Sequence, residues 1–152
     1  MTIRQLEASA RTAQEAADSL GITVGQIASS LVFRREGGEP VLVITSGRHR
    51  VDVALVAEFL EVTALHRVDA DYVKEWSGFS IGGVGPFGWV SDRSRGSSPH
   101  GFPVEVTVLI DEALGDHDVI WAAAGHPHAV FATSFEDLQR ATGARGLRVA
   151  DD

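Results

Sequence analysis

Apolar residues recur at Ala13, Ala16, Ala17 and Leu20, a spacing of three and four that places them on one face of a helix. Thr12 precedes them and Glu15 follows three residues later, the pairing of a capping box, and Gly21 supplies a stop. Residues 31–33 and 41–44 are apolar and rich in β-branched side chains, with Glu36, Gly37, Gly38 and Glu39 between them. That pattern predicts an antiparallel hairpin with a short loop. Asp52 can cap a second helix carrying Val53, Val56, Ala57 and Leu60 on one face, and Asp69 a short third helix running towards Trp76 and Gly78.

After the third helix the periodicity breaks. Residues 79–88 hold four glycines and a proline, too much backbone freedom for a helix or a central strand, and read as a shaped loop. Residues 104–110 alternate as a half-buried strand does, and 119–124 form a nearly continuous apolar run suited to a buried one. A short strand over 129–132 precedes a last helix opened by Ser134 with Asp137 and stopped by Gly143, and 147–150 can add an edge strand. Between them, residues 91–101 are polar and contain Ser, Gly and Pro, the composition of a mobile surface loop. Strands and helices are interspersed without regular βαβ alternation, so the expected class is mixed α/β, and nothing divides residues 1–152 into more than one domain.

Composition narrows the chemistry. The absence of cysteine removes thiol catalysis, disulfides and cysteine-ligated zinc. No apolar run approaches the roughly 20 residues that span a bilayer, and the expectation is a soluble, cytoplasmic protein with no membrane partner. A net charge of −8 argues against broad binding to a phosphate backbone, so a nucleic-acid partner requires a local basic patch. Candidates are Arg34 with Arg35, Arg48 with Arg50 around His49, and Arg93 with Arg95; taken alone, each reads first as solvated surface charge.

Three segments can carry chemistry. Gly82, Gly83, Gly85 and Gly88 let a ligand approach main-chain N–H groups, which can hold a carbonyl or stabilise an oxyanion. No Lys-Ser or Lys-Thr follows, which excludes a P-loop. Gly125, His126, Pro127 and His128 directly follow an apolar run, where a strand end can present imidazoles as hydrogen-bonding or general-base groups. A third metal ligand is not evident beside them, and no metal is expected. Ser46, Arg48 and Arg50 lie in the turn around Gly47 that joins the second strand to the second helix, and arginine forks suit phosphate oxygens. Ser29, Ser30 and Ser46 stand in no Gly-x-Ser-x-Gly elbow, and a serine without a placed base is unreactive.

Taken in order, these segments resemble the YbaK family, which also occurs as an insertion domain in bacterial prolyl-tRNA synthetases. The matching pieces are Arg11 to Ala17 with Leu20 and Gly21, Gly25 to Ile27 leading to Ser30 and Phe33, and Val41 to Gly47 with Arg50 and Asp52. Further on come Gly78 to Val84 with Pro86, then Gly125 to Phe131 with Leu138 and Thr142 to Ala144. The resemblance implies a mixed, curled sheet forming a partial barrel with flanking helices. It implies an aminoacyl-tRNA deacylase that hydrolyses a small amino acid, of the alanine or cysteine type, from tRNA(Pro) in trans. The implied partners are the acceptor end of tRNA and prolyl-tRNA synthetase, and no cofactor is implied. A synthetase pocket discriminates against one missing methylene by only about 1–3 kcal/mol, which is why a second hydrolytic sieve exists.

The resemblance assigns the catalytic positions to Ser29, Gly82 and Gly125. It assigns substrate binding to Ser30, Ser46, Arg48, Arg50, Ile81, Gly83, Val84, Pro86, His126 and His128. Ser29 stands where family members typically carry a lysine, and a short hydroxyl has neither the charge nor the reach of an ammonium. The second expectation is therefore a family member that binds aminoacyl-tRNA or a partner without turnover.

Overall fold

The computed structural model describes residues 3–6, 12–81, 83–91, 93–125 and 128–150. Gly82, His126 and Pro127 lie outside the described residues. The elements run β1 (Ile3–Gln5), α1 (Ala13–Leu20), β2 (Ile27–Arg35), β3 (Pro40–Ser46), α2 (Val53–Phe59), β4 (Leu65–Arg67) and α3 (Ala70–Ser77), then β5 (Thr107–Asp111), β6 (Ile120–Ala123), β7 (Ala129–Thr133), α4 (Phe135–Thr142) and β8 (Arg145–Leu147). Each helix begins where a short polar side chain can accept from a free amide of its first turn. Thr12 Oγ1 accepts from Glu15 N, Asp52 Oδ1 from Leu55 N, Asp69 Oδ1 from Tyr72 N and Ser134 Oγ from Asp137 N, all at 2.9–3.1 Å. α1, α3 and α4 end at Gly21, Gly78 and Gly143 in the left-handed conformation.

The strands build one open mixed sheet in the order β1-β7-β6-β2-β3-β5-β8, with β4 also paired to β2. β2 and β3 form the expected hairpin, in register from Ala28 against Ser46 to Arg34 against Pro40. Both strands outrun the apolar patterns at 31–33 and 41–44, because Ser29, Ser30, Arg34 and Thr45 occupy ladder positions that an apolar criterion does not count. β3 is buried along its whole length, as befits a strand with β2 on one edge and β5 parallel on the other.

Three other segments differ from expectation. β5 starts at Thr107, three residues later than the alternation suggests, because Val104 N donates to Gly96 O and Val106 N to Pro103 O, folding 103–106 into a turn. β8 covers Arg145–Leu147, where it pairs parallel with β5, and the expected strand over 147–150 does not form. Residues 93–101 are pinned to their neighbours: Ser97 bridges Pro103, Ser94 Oγ donates to Glu105 Oε1 at 2.8 Å and Arg95 N to Glu105 Oε2 at 3.1 Å.

Alternation along the strands divides the core between the two faces of the sheet. Leu42, Ile44, Ile110, Ile120 and Phe131 pack with Trp76 of α3, Trp89, Phe102 and Leu138 of α4. Phe33, Val41, Val43, Leu109 and Leu147 pack with Val56 and Ala57 of α2, while Ala16 and Ala17 of α1 cover Ile27 and Val130. No helix among the described residues is long and apolar enough to cross a membrane.

Candidate substrate pocket

The sheet forks at β2. One edge of this strand is taken by β3 along residues 28–34, so its other partners must share the opposite edge. β6 takes Ile27 and Ala28, and β4 takes Phe33, Arg34 and Arg35. Residues 29–32 are left with a strand neighbour on one side only, and main-chain polar groups on an open edge seek partners elsewhere.

A cavity of about 350 Å³ opens at this gap. Its floor is Ser30, Leu31, Val32 and Phe33 of β2. Arg50, Val51 and Val53 enter from the turn between β3 and α2, Arg67 and Val68 from the end of β4, and Val73 from α3. The glycine-rich loop contributes Ile81 and Val84. Six of the twelve lining residues are valines, and β-branched side chains hold one χ1 rotamer strongly, so this wall is stiff and its size limit sharp.

Two anchors set the wall. Tyr72 OH donates to Gly38 O at 2.7 Å, tying α3, and with it Val73, to the tip of the β2–β3 hairpin. Burial raises the Tyr72 pKa to about 12, with Arg34 and Arg93 opposing that shift and Glu39 adding to it. The second anchor is Asp111 at the end of β5, fully buried. Its carboxylate accepts from Ser46 N at 3.0 Å, Thr45 Oγ1 at 3.4 Å, Ala113 N at 3.0 Å and His49 Nδ1 at 2.6 Å. His49 is buried with it, so the turn that delivers Arg50 to the cavity is fixed from beneath.

The glycine-rich loop and the turn after β6 meet. A Cβ on Gly85 would lie 3.2 Å from Gly125 N and 3.3 Å from Ala123 O, so a side chain here would push the two backbones apart by a few tenths of an ångström. Gly125 has φ 89° and faces the Phe79 ring. Its amide has no acceptor among the described residues, and such a group can serve an incoming carbonyl oxygen. Trp89 Nε1 donates to Gly85 O at 2.8 Å and holds the loop down.

The structure gathers some of the expected residues and separates others. Ser30, Arg50, Ile81 and Val84 share the cavity wall. Pro86 is buried in the same loop. Gly83 N donates to Ser80 O at 2.9 Å, so that amide is engaged inside the loop. Ser29 is half-buried and does not line the cavity, which begins at Ser30. Ser46 Oγ is buried and donates to Gly25 O at 2.9 Å, a structural bond. Arg48 lies 3.8 Å from Asp116, away from the cavity. His128 is half-buried with φ 69°, and its carbonyl accepts from Leu6 N. Gly82 and His126 lie outside the described residues. Arg67 and Asp111 are absent from the expected site residues, and His49 entered only as part of the basic run from Arg48 to Arg50. Arg67 has no periodic or motif signal, whereas an aspartate closing an otherwise apolar strand, as Asp111 does, is a weak sign of a buried polar contact.

Fold and pocket together define a small mixed α/β domain with a stiff aliphatic sieve, a glycine-shaped backbone contact beside it and a cationic rim. The aminoacyl-tRNA editing domain model matches residues 7–141. The chain is 32% identical over 136 residues to the uncharacterized protein YwhH of Bacillus subtilis (strain 168), covering 90% of this chain and 78% of that one. It is 33% identical over 113 residues to the proline--tRNA ligase of Limosilactobacillus fermentum, covering 72% of this chain but 19% of the ligase. Its structure superposes with a TM-score of 0.83 at 34% identity on a protein proposed as a trans-editing enzyme for prolyl tRNA synthetase, covering 99% of this chain and 87% of the other. The chain belongs to the aminoacyl-tRNA editing domain family.

Proposed function

We propose that this domain is an aminoacyl-tRNA deacylase that removes a small amino acid, of the alanine or cysteine type, from tRNA(Pro) in trans. The observation that carries the reading is the valine-walled cavity at the open edge of β2, in a chain of the editing family. The side chain to be rejected enters the aliphatic wall, and a larger one is stopped by rigid branched residues. The ester carbonyl lies towards the Gly85–Gly125 contact, where the Gly125 amide stabilises the oxyanion as it forms. Water is the nucleophile: it adds to the carbonyl carbon, the tetrahedral oxyanion collapses, and the ribose oxygen leaves with a proton. Ser46 is committed to Gly25 O and Ser30 Oγ has no hydrogen-bonded base among the described residues, which supports water over a serine nucleophile.

Hydrolysis of Ala-, Cys- and Ser-charged tRNA(Pro) tests this, and no turnover above the uncatalysed rate on any of them refutes it. Ser29 favours a second reading, a domain that binds the acceptor end without turnover, because Ser29 is off the wall and the cavity holds no lysine. Ser29→Lys separates the two. A large rate gain supports the impaired binder, and a loss supports a working enzyme whose cations are its arginines.

A further inference from the structure

The cavity carries a charge opposite to that of the molecule. The chain has a net charge of −8, yet the charged side chains on the described cavity wall are Arg50 and Arg67 alone. They arrive from separate segments, one before α2 and one at the end of β4 opposite Phe33. Among the described residues neither forms an ion pair or a side-chain hydrogen bond. The carboxylates nearest in sequence, Asp52 and Asp69, are committed to helix amides. The other basic residues considered from the sequence differ: Arg48 faces Asp116, Arg93 pairs with Glu75 and Arg95 with Glu105. Two exposed guanidiniums with no acidic partner among the described residues, beside a wall of valines, make a site that an anion completes, and guanidinium forks match phosphate oxygens in geometry.

We propose that Arg50 and Arg67 form a clamp for a phosphate group, the one attached to the 5′ oxygen of the terminal nucleoside whose ester enters the pocket. This rests on the deacylase reading of the same cavity. The clamp recognises the nucleotide while the valines recognise the amino acid, so the two contributions to specificity come apart.

The test compares 2′(3′)-O-alanyl-adenosine with the same ester of adenosine 5′-monophosphate. For the unaltered protein, the phosphate-bearing ester is expected to have the higher kcat/KM, by about 10-fold or more for a charge-assisted contact. Arg67→Gln brings the ratio of the two kcat/KM values close to one, and Arg67→Lys restores part of it. The ratio is insensitive to how much of a variant is folded. A ratio of one in the unaltered protein, or an undiminished ratio in Arg67→Gln, overturns the clamp. If neither ester is hydrolysed, the charged-tRNA assay decides the deacylase reading, and binding of adenosine 5′-monophosphate against adenosine by calorimetry decides the clamp. Tighter binding of the phosphate form that is lost in Arg67→Gln sustains it, and equal binding refutes it.

Discussion

Asp111→Ala tests whether the buried anchor beneath the Arg50 turn organises this part of the fold. The carboxylate is fully buried and accepts four hydrogen bonds, two from main-chain amides at 3.0 Å, one from Thr45 Oγ1 at 3.4 Å and one from His49 Nδ1 at 2.6 Å. Each bond is worth about 1 kcal/mol net, and removing the acceptor strands buried donors. With four such bonds lost together, the expected loss is on the order of 4 kcal/mol, a large part of the roughly 5–15 kcal/mol by which a domain is stable. Urea unfolding followed by circular dichroism would show a lower midpoint at unchanged slope. In a thermal scan the midpoint falls by about 8–16 °C, at ~2–4 °C per kcal/mol for a chain of this size. Asp111→Asn keeps one carbonyl acceptor and is expected to lose about half as much. A loss below about 1 kcal/mol in Asp111→Ala refutes the account, because it would mean that the four donors find other partners at little expense.

Ser30 Oγ is buried without a hydrogen-bond partner on the cavity floor, so Ser30→Ala is expected to raise stability by about 1 kcal/mol in urea unfolding. A fall in stability would show that the hydroxyl is satisfied in solution. For Tyr72 the folded pKa of about 12 lies above the ordinary 10, so the stability it links to pH is fully present below pH 10 and lost as pH rises towards 12. Alkaline unfolding of the unaltered protein should steepen in that window, and Tyr72→Phe should flatten it; identical profiles contradict the burial argument. Gly125→Ala places a side chain at φ 89° and 3.2 Å from the Phe79 ring. It should cost about 1–2 kcal/mol of stability and lower kcat far more than it raises KM in the deacylation assay. An unaltered kcat would remove the Gly125 amide from the mechanism.

By itself, the order of residues along the chain determined the local elements. Thr12, Asp52, Asp69 and Ser134 mark helix starts and Gly21, Gly78 and Gly143 mark ends, because capping and left-handed termination depend on residues three or four apart. The central hairpin and the family were equally legible, the first from two β-branched runs around a glycine pair, the second from segments that keep their order. The three-residue strands β1 and β4 were not, since periodicity needs a longer window. Only the tertiary structure decided the pocket. The gap exists because β6 and β4 pair with opposite ends of one edge of β2, a choice made by contacts far apart in sequence. The tertiary structure puts Arg67 and Arg50 on one cavity wall and sets Gly85 against Gly125. The convergence of side chains from five segments is a property of strand pairing and packing, and no local pattern encodes it.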